Sequence, residues 1–165
     1  ESLWQAAAGQ YDCSLLIPRP LGVYGPGDHF TADGNVVPAL ITRAIESDEE
    51  LVVWGSGAQQ RYFVYIDDLV DALLLLTESD AESVQYVSNP ASVSIKELAT
   101  LVRDTVNPQL QLQFDTQKPE GKPYCDAPAL PDSLVACKWT SLKEGITRTV
   151  DWYRHHRDDS AVSTA

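Results

Sequence analysis

Cysteine, positive charge and long apolar runs are all scarce in this sequence, and each shortage closes off a class of protein. Cys13, Cys125 and Cys137 are an odd number, widely spaced and without a C-x-x-C pair. They imply neither a disulfide framework nor a zinc site, so no metal is expected and they read as ordinary thiols. The longest apolar candidate, Ala72–Leu76, falls far short of the roughly 20 residues that cross a bilayer, so no membrane partner is expected. Glu1-Ser-Leu-Trp-Gln5 has neither the basic start nor the apolar stretch of a secretion signal. A cytoplasmic location is the expectation. Lysine and arginine total 12 against 24 acids, a net charge of −12. That field repels polyanions and argues against a nucleic-acid partner. The acidity reads as a solvated surface, or as adaptation to high salt given only five lysines. An anionic small molecule would need local cations to overcome it.

What is present fits one α/β domain. The 165 residues, 44% hydrophobic and 22% charged, suffice for a single core. Glu1–Gln10 reads as a helix that begins without a cap, which implies sequence upstream. Asp12–Pro18 reads as a buried parallel strand, and Pro18–Gly34, rich in proline and glycine, as a loop. Val36–Glu46 is helical, with Val37, Leu40, Ile41 and Ala44 on one face. Leu51–Trp54 and Arg61–Ile66 read as strands around a turn at Gly55-Ser-Gly57, and Gln85–Ser88 as another short strand. Asp67–Thr77 is a helix apolar nearly all round, hence expected to be deeply packed. Ser94-Ile-Lys-Glu97 and Ser141-Leu-Lys-Glu144 are capping boxes that open two further helices. The second carries Leu142, Ile146, Val150 and Tyr153 at helical spacing. Leu110–Phe114 alternates like an exposed-edge strand, Pro119–Pro131 is a proline-rich connection, and residues 158–165 are expected to form a flexible tail.

Gly55-Ser-Gly57-Ala-Gln-Gln60 invites a test as a dinucleotide-binding loop. The third glycine is absent, and a strand pattern follows where a helix N-terminus should hold the pyrophosphate. A tight turn is the expected reading.

Several segments together resemble a known family. Arg19-Pro-Leu-Gly-Val-Tyr-Gly-Pro26, Asn35-Val-Val-Pro-Ala-Leu-Ile41, Val53-Trp-Gly-Ser-Gly57, Arg61-Tyr-Phe-Val-Tyr-Ile-Asp-Asp68 and Val93-Ser-Ile-Lys-Glu-Leu98 fall in the order seen in extended short-chain dehydrogenases/reductases of the NAD-dependent epimerase/dehydratase family. Phe114-Asp-Thr-Gln-Lys-Pro-Glu-Gly121 and the stretch from Trp139 to Trp152 are most similar to the GDP-L-fucose synthases. The resemblance implies that residues 1–157 are the C-terminal, substrate-binding part of a Rossmann-type enzyme with its small α/β lobe. The family carries its cofactor loop and its Tyr-x-x-x-Lys pair upstream, and no tyrosine here has lysine four residues later. The implied whole is an NAD- or NADP-dependent nucleotide-sugar epimerase or reductase, a homodimer. This chain alone is expected to bind no nicotinamide and to be inactive. A 4-epimerase, a dehydratase or a non-catalytic nucleotide-binding module are the alternatives.

The resemblance also implies site residues. A diphosphate calls for guanidinium forks. Read from the residues alone, Arg43 is a surface arginine on a helix face, and Arg61 is divided between a strand end and a ligand role. The family implies diphosphate binding by both. Trp54 either packs against the nucleotide or sugar or is a rim aromatic. Pro20, Tyr24 and Gly25 resemble the loop that closes over sugar and nicotinamide. Asn35 stands where the fucose synthases place a catalytic histidine, and an amide cannot donate and recover a proton near neutrality. His29, six residues earlier, either substitutes or is an exposed loop histidine. The family's basic pair after the Lys-Pro segment is replaced by Tyr124-Cys125, with Lys122 near enough to compensate.

Overall fold

The structure, a computed structural model, describes residues 1–79, 83–122 and 129–162. Its helices are interspersed with short strands along the chain. They run α1 (Ser2–Tyr11), β1 (Leu16–Pro20), β2 (Val23–Tyr24), α2 (Val36–Glu46), β3 (Glu50–Trp54), β4 (Gln60–Tyr62), β5 (Val64–Tyr65) and α3 (Ile66–Glu78). There follow β6 (Ser83–Val87), β7 (Ser92–Ser94), α4 (Ile95–Val106), β8 (Gln111–Asp115), α5 (Asp132–Val135) and α6 (Leu142–Val162). The strands pair as β1–β6, β2–β5 and β3–β8, all parallel, and β4–β7, antiparallel. Parallel partners far apart in sequence require helical crossovers, so this is an α/β architecture as expected.

Hydrophobic alternation explains how two cores share one ladder. Val64 on β5 enters a cluster with Leu69, Ala72 and Leu76 of α3, Val87 and Leu134. Its neighbours Phe63 and Tyr65 point the other way, into a larger cluster built on α2, β3, α4 and α6. Both capping-box serines are engaged. At α4 the box is complete: the Ser94 hydroxyl accepts the Glu97 N–H at 3.1 Å, and the Glu97 carboxylate accepts the Ser94 N–H at 2.8 Å. At α6 the Ser141 hydroxyl accepts the Glu144 N–H at 3.2 Å, while the Glu144 carboxylate takes Arg148 one turn on. Asp68 of α3 accepts both the N–H and the hydroxyl of Thr140, each at 2.7 Å, and so ties α3 to the approach to α6.

Several expectations need correction. The first strand begins at Leu16 rather than Asp12, because Asp12 turns left-handed (φ 50°) to close α1, and its residues are half-buried rather than buried. The stretch expected as loop contains β2. The strand expected over Arg61–Ile66 breaks at Phe63, whose carbonyl accepts the Asn89 N–H, and Ile66 already belongs to α3. Helix α3 is not deeply packed: Leu69, Ala72 and Leu76 are buried, but Val70, Leu74 and Leu75 are exposed. The final helix continues through Val162, into the segment expected as tail. Among the described residues no helix is long and apolar enough to cross a membrane, and Cys13 and Cys137 are free thiols.

Candidate functional site

An apolar hollow on which two arginines converge lies beside the C-terminal end of β3, with a volume of about 340 Å³. Helix α2 supplies Leu40 and Arg43, β3 supplies Val53 and Trp54, and β4 supplies Arg61 and Tyr62. The local reasons are visible in the backbone. The Asn35 carbonyl opens α2 by accepting the Ala39 N–H at 2.9 Å. Burial of Val37, Leu40, Ile41 and Ala44 then sets the face on which Arg43 lies at the cavity edge.

Arg43 is held from two sides. Its Nε donates to the Ala32 carbonyl at 2.8 Å and its Nη1 to the Val52 carbonyl at 2.7 Å. Its guanidinium carbon lies 5.0 Å from the Trp54 ring centroid, within cation–π range. Burial lowers its basicity and nearby Asp33 opposes that shift; a guanidinium is not deprotonated in proteins. Lys118 places a second cation 5.4 Å from the same ring. Arg61 donates from Nη1 to the Gln60 carbonyl at 2.7 Å and from Nη2 to the Lys122 carbonyl at 2.8 Å. The segment from Pro119 to Gly121 forms the opposite wall, fastened by a 2.5 Å hydrogen bond from the Ser56 hydroxyl to the Glu120 carboxylate.

The structure therefore brings Arg43, Trp54 and Arg61 to one cavity, with Lys122 at its edge through its backbone. It does not bring the other expected residues there. Asn35, Tyr24 and Gly25 line a separate hollow of about 270 Å³ with Asp28 and Ile66. Asn35 is exposed at the start of α2. Tyr24 needs a correction as a loop residue, since it is 3% exposed and paired in β2. Its ring packs edge-on against Phe63 and Tyr65, at 6.2 and 5.7 Å between centroids. Burial, with Asp68 and Tyr65 nearby, pushes its phenol well above the usual tyrosine range. Pro20 ends β1, exposed, and lines neither hollow. His29 is exposed, its backbone N–H donating to Asp28 Oδ1 at 2.7 Å. Tyr124-Cys125 lies outside the described residues.

The glycine-rich turn does not form a dinucleotide cradle. It leads from β3 into β4, strands of different pairs, and its backbone is taken up by α4: Lys96 N–H donates to the Gly57 carbonyl at 2.8 Å and Ile95 N–H to the Gln59 carbonyl at 3.0 Å. At Gly57 (φ 75°) a Cβ would stand 2.5 Å from the Phe114 ring, so the glycine serves packing.

Sequence reasoning missed Gln59, Lys118 and Glu120. Gln59 had a signal, since it stands two residues before Arg61 and strand alternation places both on one face. Lys118 and Glu120 flank Pro119 in the Lys-Pro segment, but nothing local says that this segment folds back over β3.

Comparison with known proteins agrees with this architecture. The family model described as "NAD dependent epimerase/dehydratase family" matches residues 1–88. A protein of Arabidopsis thaliana named putative GDP-L-fucose synthase 2 is 38% identical over 161 residues, covering 90% of this chain and 48% of that one. A dTDP-4-dehydro-6-deoxy-D-allose reductase of Streptomyces bikiniensis is 32% identical over 150 residues, covering 89% and 45%. The chain thus spans about half the length of the curated relatives it matches. The crystal structure of a GDP-L-fucose synthetase from Naegleria fowleri bound to NADP superposes with a TM-score of 0.78 at 23% identity, over 95% of this chain and 51% of that one. At that identity the likeness bears on fold alone, and the fold is that of a Rossmann-type extended short-chain dehydrogenase/reductase.

Proposed function

The chain belongs to the NAD-dependent epimerase/dehydratase family, and on that premise we propose that it is the nucleotide-sugar-binding portion of an NAD(P)-dependent epimerase or reductase similar to GDP-L-fucose synthase. The observation that carries this reading is the convergence of Arg43, Arg61 and Trp54 on one apolar cavity. Two guanidinium forks suit a diphosphate, and an indole already flanked by cations suits a base or sugar ring. The nicotinamide and the acid/base pair that moves its hydride belong to the rest of the longer enzyme, since this chain contains no Tyr-x-x-x-Lys and its glycine-rich turn forms no cradle. By itself the chain turns over no nicotinamide.

The test is Arg61→Lys in the full-length protein, with GDP, UDP and dTDP titrated by calorimetry. A point charge in place of a planar fork should weaken binding by about 1–3 kcal/mol. Unchanged affinity for all three nucleotides rules the role out. A second reading, reduction or epimerisation at a single carbon, is favoured by Asn35. The fucose-type reaction needs a titrating acid at that position, and a reductase stands among the relatives.

A further inference from the structure

Gln59 has no place in the binding scheme so far, yet it is the least satisfied group in the cavity. It is 5% exposed and lines the hollow together with Arg61, Trp54 and Glu120. Its backbone is fixed, because its carbonyl accepts the Ile95 N–H at the start of α4. Its side chain is not: no group among the described residues donates to Oε1. A buried carbonyl oxygen without a donor is unfavourable, and folded proteins rarely keep one without a purpose. The amide nitrogen, by contrast, is packed close against the backbone at Gly55 and against Glu120. Gly55 adopts φ 80°, and a Cβ there would stand 2.8 Å from Gln59 Nε2 and 2.9 Å from Glu120 Cγ. Any side chain at position 55 would displace the amide or Glu120, so the glycine fixes where the Gln59 side chain sits.

We propose that Gln59 is a specificity-determining residue, its side-chain carbonyl accepting a hydrogen bond from a hydroxyl or N–H on the nucleoside part of the ligand. This rests on the cavity being a nucleotide site. The division of labour follows from donor and acceptor chemistry. Arg43 and Arg61 can only donate and therefore hold the diphosphate, whereas Gln59 Oε1 can only accept and reads a donor group elsewhere on the ligand. A ligand that bears the donor gains that hydrogen bond and one that lacks it does not, and the difference sets the preference.

The experiment compares the full-length protein with its Gln59→Met variant, which keeps the volume and removes the acceptor. Both are titrated with GDP, 2′-deoxy-GDP, UDP and inorganic pyrophosphate, and the melting temperature of each free protein is recorded. The expected result is about tenfold weaker nucleotide binding in the variant, the factor for one hydrogen bond to a buried carbonyl. Pyrophosphate affinity is unchanged and the melting temperature is not lowered. A preference for GDP over 2′-deoxy-GDP that the variant lacks assigns the donor to the ribose. A loss on both guanine nucleotides but not on UDP assigns it to the base. Nucleotide affinities equal to wild type, or a loss that extends equally to pyrophosphate, overturn the proposal. Failure of the unaltered protein to bind any nucleotide overturns the functional reading itself.

Discussion

Gly145→Ala should destabilise the protein, although glycine to alanine inside a helix ordinarily does the reverse. Gly145 lies in the first turn of α6, where its N–H donates to the Ser141 carbonyl at 2.9 Å and its carbonyl accepts the Thr149 hydroxyl at 2.7 Å. In an open helix the change would gain about 1 kcal/mol. Here a Cβ would stand 2.1 Å from the Tyr24 hydroxyl oxygen, 2.8 Å from Cζ and 3.0 Å from Cε2. Tyr24 cannot withdraw easily, since Phe63 and Tyr65 bracket its ring and it is 3% exposed. Forcing a methyl into such a core costs about 1–3 kcal/mol, so the net effect is a loss of up to about 2 kcal/mol. Urea unfolding reads this as a lower midpoint with unchanged slope. In a Tyr24→Phe background the 2.1 Å partner is gone while the ring carbon at 2.8 Å remains. The penalty should therefore shrink without vanishing, giving a measurable coupling between the two sites. A midpoint raised by Gly145→Ala in the Tyr24 protein would refute the argument.

Three other outcomes can be checked. Asp68→Ala strands the Thr140 N–H and hydroxyl in a half-buried place and should cost about 1–3 kcal/mol in the same unfolding assay, with Asp68→Asn milder because one acceptor survives. The Glu97 carboxyl is held below its usual value by hydrogen bonds from the Ser94 hydroxyl and then the Ser94 N–H. Its capping contribution is therefore complete above the ordinary carboxylate value and fades as acid takes the pH down through the lowered one. The stability gap between wild type and Glu97→Gln should be present near neutrality and close in acid. Finally, turnover of the full-length enzyme in deuterated water should place deuterium at no more than one sugar carbon, because an asparagine amide cannot return a proton to carbon near neutrality. Incorporation at both C3 and C5, read by NMR and persisting in His29→Ala, would contradict that.

The sequence was most informative where local chemistry and tertiary demand coincide. Helix α2 matches its expected bounds because Val37, Leu40, Ile41 and Ala44 form one continuous buried stripe. The Ser94 capping box is self-contained within four residues and therefore legible. Helix α3 misled for the opposite reason: a helix apolar all round says that every face tolerates burial, and says nothing about which faces find partners. Tyr24 misled because a Tyr-Gly-Pro string reads as loop, while two residues of parallel pairing with β5 suffice to turn its ring into the core. At the cavity, Arg43, Trp54 and Arg61 were legible only through family resemblance. Their actual convergence depends on β3 and β4 meeting α2, a long-range fact that spacing does not encode.

The net charge of −12 and an anion-binding reading are compatible once distance is considered. At physiological ionic strength exposed charges are screened beyond roughly 8 Å, so scattered surface acids contribute little inside a cavity. What a diphosphate meets there is set by its immediate lining. Arg43 and Arg61 lie in that lining, and Lys118 stands over the adjoining Trp54 ring. The acid of that wall, Glu120, already accepts a hydrogen bond from Ser56. Both arginines are also part of the fold, each giving two donor contacts to backbone carbonyls. A guanidinium carries five N–H groups, so anchoring leaves donors free for a ligand while fixing the direction in which they point. That dual role makes truncation to alanine a poor probe, because it would also remove the contact of Arg43 to β3 or of Arg61 to the Lys122 backbone. Lysine at position 61 keeps the charge and loses the fork, and so separates binding geometry from mere electrostatic attraction.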